Sequence, residues 1–180
     1  MLMQSRLCRL ALTYSNADHH CFIQQQFYLP PYREEDSAHF AKRLLMLAAL
    51  VEQHPAVVAE HPLHKSPDFQ IQHEQQWRLW AQVDTPDDRH LQRACHRSDC
   101  VLLCLGDSAE MKNKTWLHHP KVVWAFFDST LISNIEHWIK PTMQWAVWRE
   151  GEQIQITDGH DFVEYSFPLE QLELRLGLIH

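Results

Sequence analysis

The segment Trp77–Cys95, WRLWAQVDTPDDRHLQRAC, constrains this chain more than any other. Its first seven residues are dense in tryptophan and aliphatic side chains, which suits a buried strand. Thr85-Pro86-Asp87-Asp88 then reads as a helix start. The threonine stands at the cap, the proline at the first helical position and the acids in the first turn. Leu91, Ala94 and Cys95 supply an apolar stripe, and Cys100–Leu105 (CVLLCL) is a continuous apolar run suited to a strand covered on both faces. A strand, a helix and a second buried strand in succession predict an α/β unit.

The flanking sequence extends that pattern. Arg6–Ser15 and Cys21–Leu29 alternate as strands around the Ser15-Asn16-Ala17-Asp18 turn, so they can form a hairpin that Pro30 and Pro31 stop. Acids at 34–36 precede apolar residues at near-helical spacing, which predicts a helix from about Glu35 to Gln53. His54–Pro67 holds three prolines and no period, an irregular connection. Phe69–Glu74 and Trp77–Val83 are the next strands, Glu110–His118 a helix, Val122–Phe127 a strand and Leu131–Ile139 a short helix. Thr142–Arg149, Gln153–Thr157 and Phe162–Phe167 close the chain as a meander. The expected fold is α/β (α+β), with helices packed on a mixed sheet, in a single domain over residues 1–180.

Composition limits the function classes. An apolar share of 45% is ample for a core, while a net charge of −7 argues against a general nucleic-acid coat protein. No run reaches the roughly 20 apolar residues of a bilayer span, and the opening residues lack a signal-peptide core, so a soluble cytoplasmic protein without a membrane role is expected. Five cysteines, mostly within apolar runs, read as buried reduced thiols. Fourteen histidines raise the question of zinc, but Cys100 and Cys104 flank an apolar strand, and His19-His20 and His118-His119 fall in turns as solvated residues. With four glycines, a glycine-rich phosphate cradle is hard to build. Trp145 and Trp148 differ by an odd number of positions, so one of them should face away from the core and could anchor an assembly.

The order of these pieces resembles the YaeQ family, whose fold is a variant of the PD-(D/E)XK nuclease superfamily. The match is carried by Trp80-Ala81-Gln82-Val83-Asp84-Thr85-Pro86-Asp87-Asp88-Arg89 with Arg93-Ala94-Cys95. Arg43-Leu44-Leu45, Asn16-Ala17-Asp18, Pro67 and the stretch Met143–Thr157 fit it as well. The resemblance implies a divalent cation, usually magnesium, held by carboxylates to activate water, with a basic residue stabilising the developing charge.

This chain departs from that pattern at the acids themselves. The strand glutamate of the family corresponds to Gln82, its first-helix glutamate to Ala38, and its acidic pair before the proline to Lys65 and Ser66. Arg93 keeps a family basic position. The expectation is an eroded metal site with no resident cofactor, and a binding role toward a protein or structured nucleic acid. Arg89, Arg93 and Arg97 supply the binding face at helical spacing. The alternative is a magnesium- or manganese-dependent nuclease with relocated ligands Asp68 and Asp84, Gln82 positioning water and Arg93 stabilising charge.

Overall fold

A computed structural model of the chain describes residues 3, 6–58, 66–106 and 118–177. Ten strands and four α-helices alternate within them. The hairpin is present as β1 (Cys8–Asn16) and β2 (Cys21–Leu29), antiparallel over nine residue pairs without a bulge. Helix α1 (Ser37–Leu50) begins behind Asp36, whose carboxylate accepts the His39 backbone N–H, and runs into a 3₁₀ turn at Val51–Gln53. The connection after it carries the two-residue β3 (Ala56–Val57), then β4 (Phe69–His73) and β5 (Gln76–Val83). Next come α2 (Asp88–Arg97), β6 (Ser98–Leu105), β7 (Val122–Phe126) and α3 (Ser129–Trp138). The meander β8 (Thr142–Glu150), β9 (Gln153–Thr157) and β10 (Phe162–Ser166) precedes α4 (Leu169–Leu176). The helix expected over Glu110–His118 lies, except for its last residue, outside the described residues.

The mixed α/β fold is present, with its strands divided between two five-stranded mixed sheets. The first runs β10-β9-β8-β1-β2, with β1 and β8 parallel although Leu10 and its partner Met143 stand far apart in the sequence. The second runs β3-β4-β5-β6-β7, with β5, β6 and β7 parallel. The sheets face each other across α1, which is buried at every residue from Phe40 to Leu50. A helix covered on all sides is apolar around its circumference, and that stretch of α1 departs from this only at Lys42 and Arg43, whose buried charges need partners. From the first sheet, the Tyr165 hydroxyl donates to the Leu45 carbonyl at 2.7 Å. From the second, the Cys104 thiol lies 3.3 Å from the Met46 sulfur. Helix α2 covers the opposite face of the second sheet, where Leu91, Ala94 and Cys95 meet Trp80, Val101 and Leu103. Nothing among the described residues covers the outer face of the first sheet, so Phe22, Trp148 and Phe162 are exposed while Trp145 is buried.

Two local expectations change. Asp87, not Thr85, caps α2: its carboxylate accepts the His90 N–H at 2.9 Å. Pro86 disfavours helical backbone at Thr85, which moves the start past the proline. Helix α4 was not expected, since LEQLELRL spans only two turns; Gly177 ends it with a left-handed backbone (φ 69°).

Candidate functional site

Two family-matched positions, Ala38 and Gln82, line one cleft of about 510 Å³, formed where the start of α1 faces the end of β5. Ala38, His39 and Lys42 line it from the helix, Gln82, Val83, Asp84 and Thr85 from the strand, and Tyr32–Asp36 from the segment between. Asp84 closes the strand in left-handed backbone (φ 65°), held by its N–H to the Cys104 carbonyl at 2.8 Å. That turn brings its carboxylate toward α1, where Lys42 donates to it at 2.5 Å. The Lys42 side chain is 9% exposed and that of Asp84 43%, so solvent screens one half of the pair and not the other.

Asp68 lies deeper. One carboxylate oxygen accepts the Val83 N–H at 2.7 Å, and the other is 3.9 Å from Arg43 Nε. Arg43 is wholly buried: it donates to Glu35 at 2.9 Å, and its guanidinium stacks 3.8 Å from the Tyr32 ring centroid. His39 completes the chain of charges, with Nδ1 2.6 Å from Glu35 and Nε2 3.9 Å from Asp84. Burial acts to lower the His39 pKa, but the hydrogen bond with Glu35 and the carboxylates of Asp68, Glu35 and Asp84 together raise it above its ordinary value. Burial drives the Tyr32 phenol far upward, with Asp68 adding to it.

Asp68 and Asp84 are thus brought to the same end of β5, each beside a cation of α1. Gln82 also reaches this end, but it is buried with its amide oxygen accepting the Trp80 indole N–H at 3.1 Å. Ser66 is half-buried ahead of Asp68, and Lys65 lies outside the described residues. Among the described residues, three metal-capable side chains converge elsewhere, at His19, Glu52 and Glu173. The histidine there is not solvated as expected from its turn: Nδ1 lies 2.5 Å from Glu52. Arg149 already bridges the two glutamates. Cys100 and Cys104 share one face of β6 in the core, and burial pushes the Cys100 thiol up to about 12.

The arginines stand apart from this cleft on α2. Arg89 and Arg97 are exposed and Arg93 is half-buried, and none forms an ion pair with a described residue. Sequence reasoning found these positions but missed Glu35, His39 and Lys42. The available signal was Lys42-Arg43 in the middle of an apolar helix, where two adjacent cations require acidic partners.

Comparison with known proteins bears on the whole chain. A family model described as YaeQ protein matches residues 1–167. The crystal structure of YaeQ protein from Xanthomonas axonopodis pv. citri aligns with a TM-score of 0.77 at 18% identity, covering 91% of this chain and 96% of that one. YaeQ protein from Pseudomonas syringae aligns with a TM-score of 0.76 at 16% identity, covering 89% and 92%. At those identities the likeness concerns the fold. Comparison with curated proteins gives no match. Among the described residues no helix is long and apolar enough to cross a membrane.

Proposed function

The chain belongs to the YaeQ family, and from that premise we propose that it is a binding protein whose nuclease-like cleft holds protein cations in place of a catalytic metal. The observation that carries this reading is the pairing of Asp84 and Asp68 with consecutive residues of α1. Lys42 sits on Asp84, and Arg43 lies beside Asp68. A divalent cation here needs carboxylate oxygens free to coordinate it. Lys42 occupies Asp84 Oδ1, so a cation that takes both oxygens of Asp84 displaces that ammonium and leaves a largely buried charge without this partner. Gln82 offers a neutral amide oxygen, already engaged by Trp80. Water activation by a carboxylate-held metal lacks its ligand set, and the lysine supplies fixed positive charge instead.

The binding face is the α2 stripe of Arg89, Arg93 and Arg97. Guanidinium groups that form no ion pair with a described residue suit carboxylates or phosphates, so the partner is an anionic surface of a protein or of structured nucleic acid. On a chain of net charge −7, these arginines mark the side on which such a partner is not repelled.

Manganese titration followed by thermal unfolding tests the cleft. A ligand that binds only the native state raises the melting temperature in step with RT ln(1 + [L]/Kd). The expected result is no saturable rise at millimolar manganese and no metal-dependent cleavage of nucleic acid. A saturable rise that disappears in Asp84→Ala overturns the proposal and restores the metal-dependent nuclease, with Asp68 and Asp84 as ligands.

A further inference from the structure

Among the described residues strand β2 ends the first sheet, so one row of its backbone donors and acceptors has no described strand beside it. None of those groups pairs with another backbone group among the described residues, apart from the β1 ladder. Proteins normally blunt such an edge with charge, proline, a bulge or a covering loop, because it templates pairing with another chain. Cys21–Leu29 carries no charge and no proline, and its ladder with β1 is unbroken. Gln24, Gln25 and Gln26 are all exposed in succession. Alternation puts Gln25 on the inner face, so the middle of β2 overhangs the core and is open on both faces as well as at its edge. On the outer face, Phe22 is 64% exposed and Tyr28 is 53% exposed.

We propose that two copies of this chain pair along β2, antiparallel about a two-fold axis at Gln25. The sequence of the strand is complementary to itself in that register. Phe22 falls opposite Tyr28 of the second copy, Gln24 opposite Gln26, Ile23 opposite Phe27 and Cys21 opposite Leu29. Both aromatic pairs lie on the open face, and cross-strand aromatic pairs are among the stabilising units of a sheet. The amides of Gln24 and Gln26 can donate and accept across the axis.

Charge and area point to the same occupant. Two copies with net charge −7 repel over most of their surface, and this edge is free of charge. Four aromatic side chains of about 150–250 Å² each, more than half of it exposed, join two nine-residue backbone edges. Together they approach the roughly 1,000 Å² that a specific interface requires. The product is a continuous ten-stranded sheet with an isologous contact, so association stops at the dimer.

Sedimentation equilibrium from about 1 to about 100 μM, the range for a modest interface, tests the pairing. The wild-type protein is expected to pass from monomer to dimer. Gln24→Lys with Gln26→Lys places like charges opposite each other and is expected to weaken the dimer at least about tenfold. A register test stands beside it in case the lysine variant fails to fold. Gln25→Cys, made with Cys21→Ser, puts two thiols at Cα separations of about 4.5–5.5 Å, within disulfide reach. Oxidation should then give a covalent dimer. A wild type that stays monomeric over the whole range overturns the proposal. So does a folded lysine variant that dimerises as tightly as the wild type, or a wild-type dimer whose Gln25→Cys form does not cross-link.

Discussion

Arg43 is fully buried, and two of its nitrogens, Nε and Nη2, have no hydrogen-bond acceptor among the described residues. Its charge is held by Glu35 on one side and by the π faces of Tyr32 and Phe40, 3.8 and 5.4 Å from its carbon. Removing one partner of a buried ion pair leaves an uncompensated charge, typically at about 3–5 kcal/mol. Glu35→Gln keeps the shape and one acceptor, so it should destabilise the fold by about 3 kcal/mol, read as a lower denaturant midpoint with an unchanged slope. His39 gives that network a pH dependence. Its folded pKa is raised, so its contribution is fully present below about 6.5, the ordinary histidine value, and fades as pH rises through the higher folded value. The stability difference between wild type and His39→Gln should therefore be largest in mild acid and shrink toward alkaline pH. A difference that grows with pH contradicts the assignment of His39 as the proton-binding partner of Glu35 and Asp84.

At the scale of elements, α2 separates two roles. Its apolar stripe holds Trp80 and Leu103, while Arg89 and Arg97 face water. Arg89→Glu with Arg93→Glu should leave the melting temperature nearly unchanged, since neither side chain has a charged partner among the described residues. It should weaken binding to an immobilised polyanion and reduce the salt dependence by about two charges. Equal retention of wild type and variant at every salt concentration removes α2 as the interface. Much of this level was legible in the sequence. The limits of β2 follow from the proline pair after Leu29, and β6 follows from an unbroken apolar run. Helix α4 was not, because two turns of mixed residues carry little periodic signal and its burial depends on Leu169, Leu172 and Leu176 meeting a distant core. The site was half legible. The resemblance located Gln82 and Asp84, but the partners of Asp84 lie on α1, and only tertiary packing brings Lys42 to it.

For the whole molecule, the division into two sheets was beyond the reach of local pattern. Strand alternation says which face is buried but not which strand lies alongside, and on the flank away from β2 it is the distant β8 that β1 finds. That pairing has a consequence for how the protein is made. The hairpin β1–β2 is synthesised before β8, and when Leu29 has been added the 112 residues 30–141 still separate it from Thr142, the first residue of the other neighbour of β1. At roughly 5–20 residues per second, that interval is on the order of ten seconds. Throughout it the hairpin offers the flank of β1 that β8 will later take, besides the outer edge of β2. The order of translation thus leaves the hairpin open on both sides, along β1 and along the uncharged, glutamine-rich β2, before the chain can close it on one.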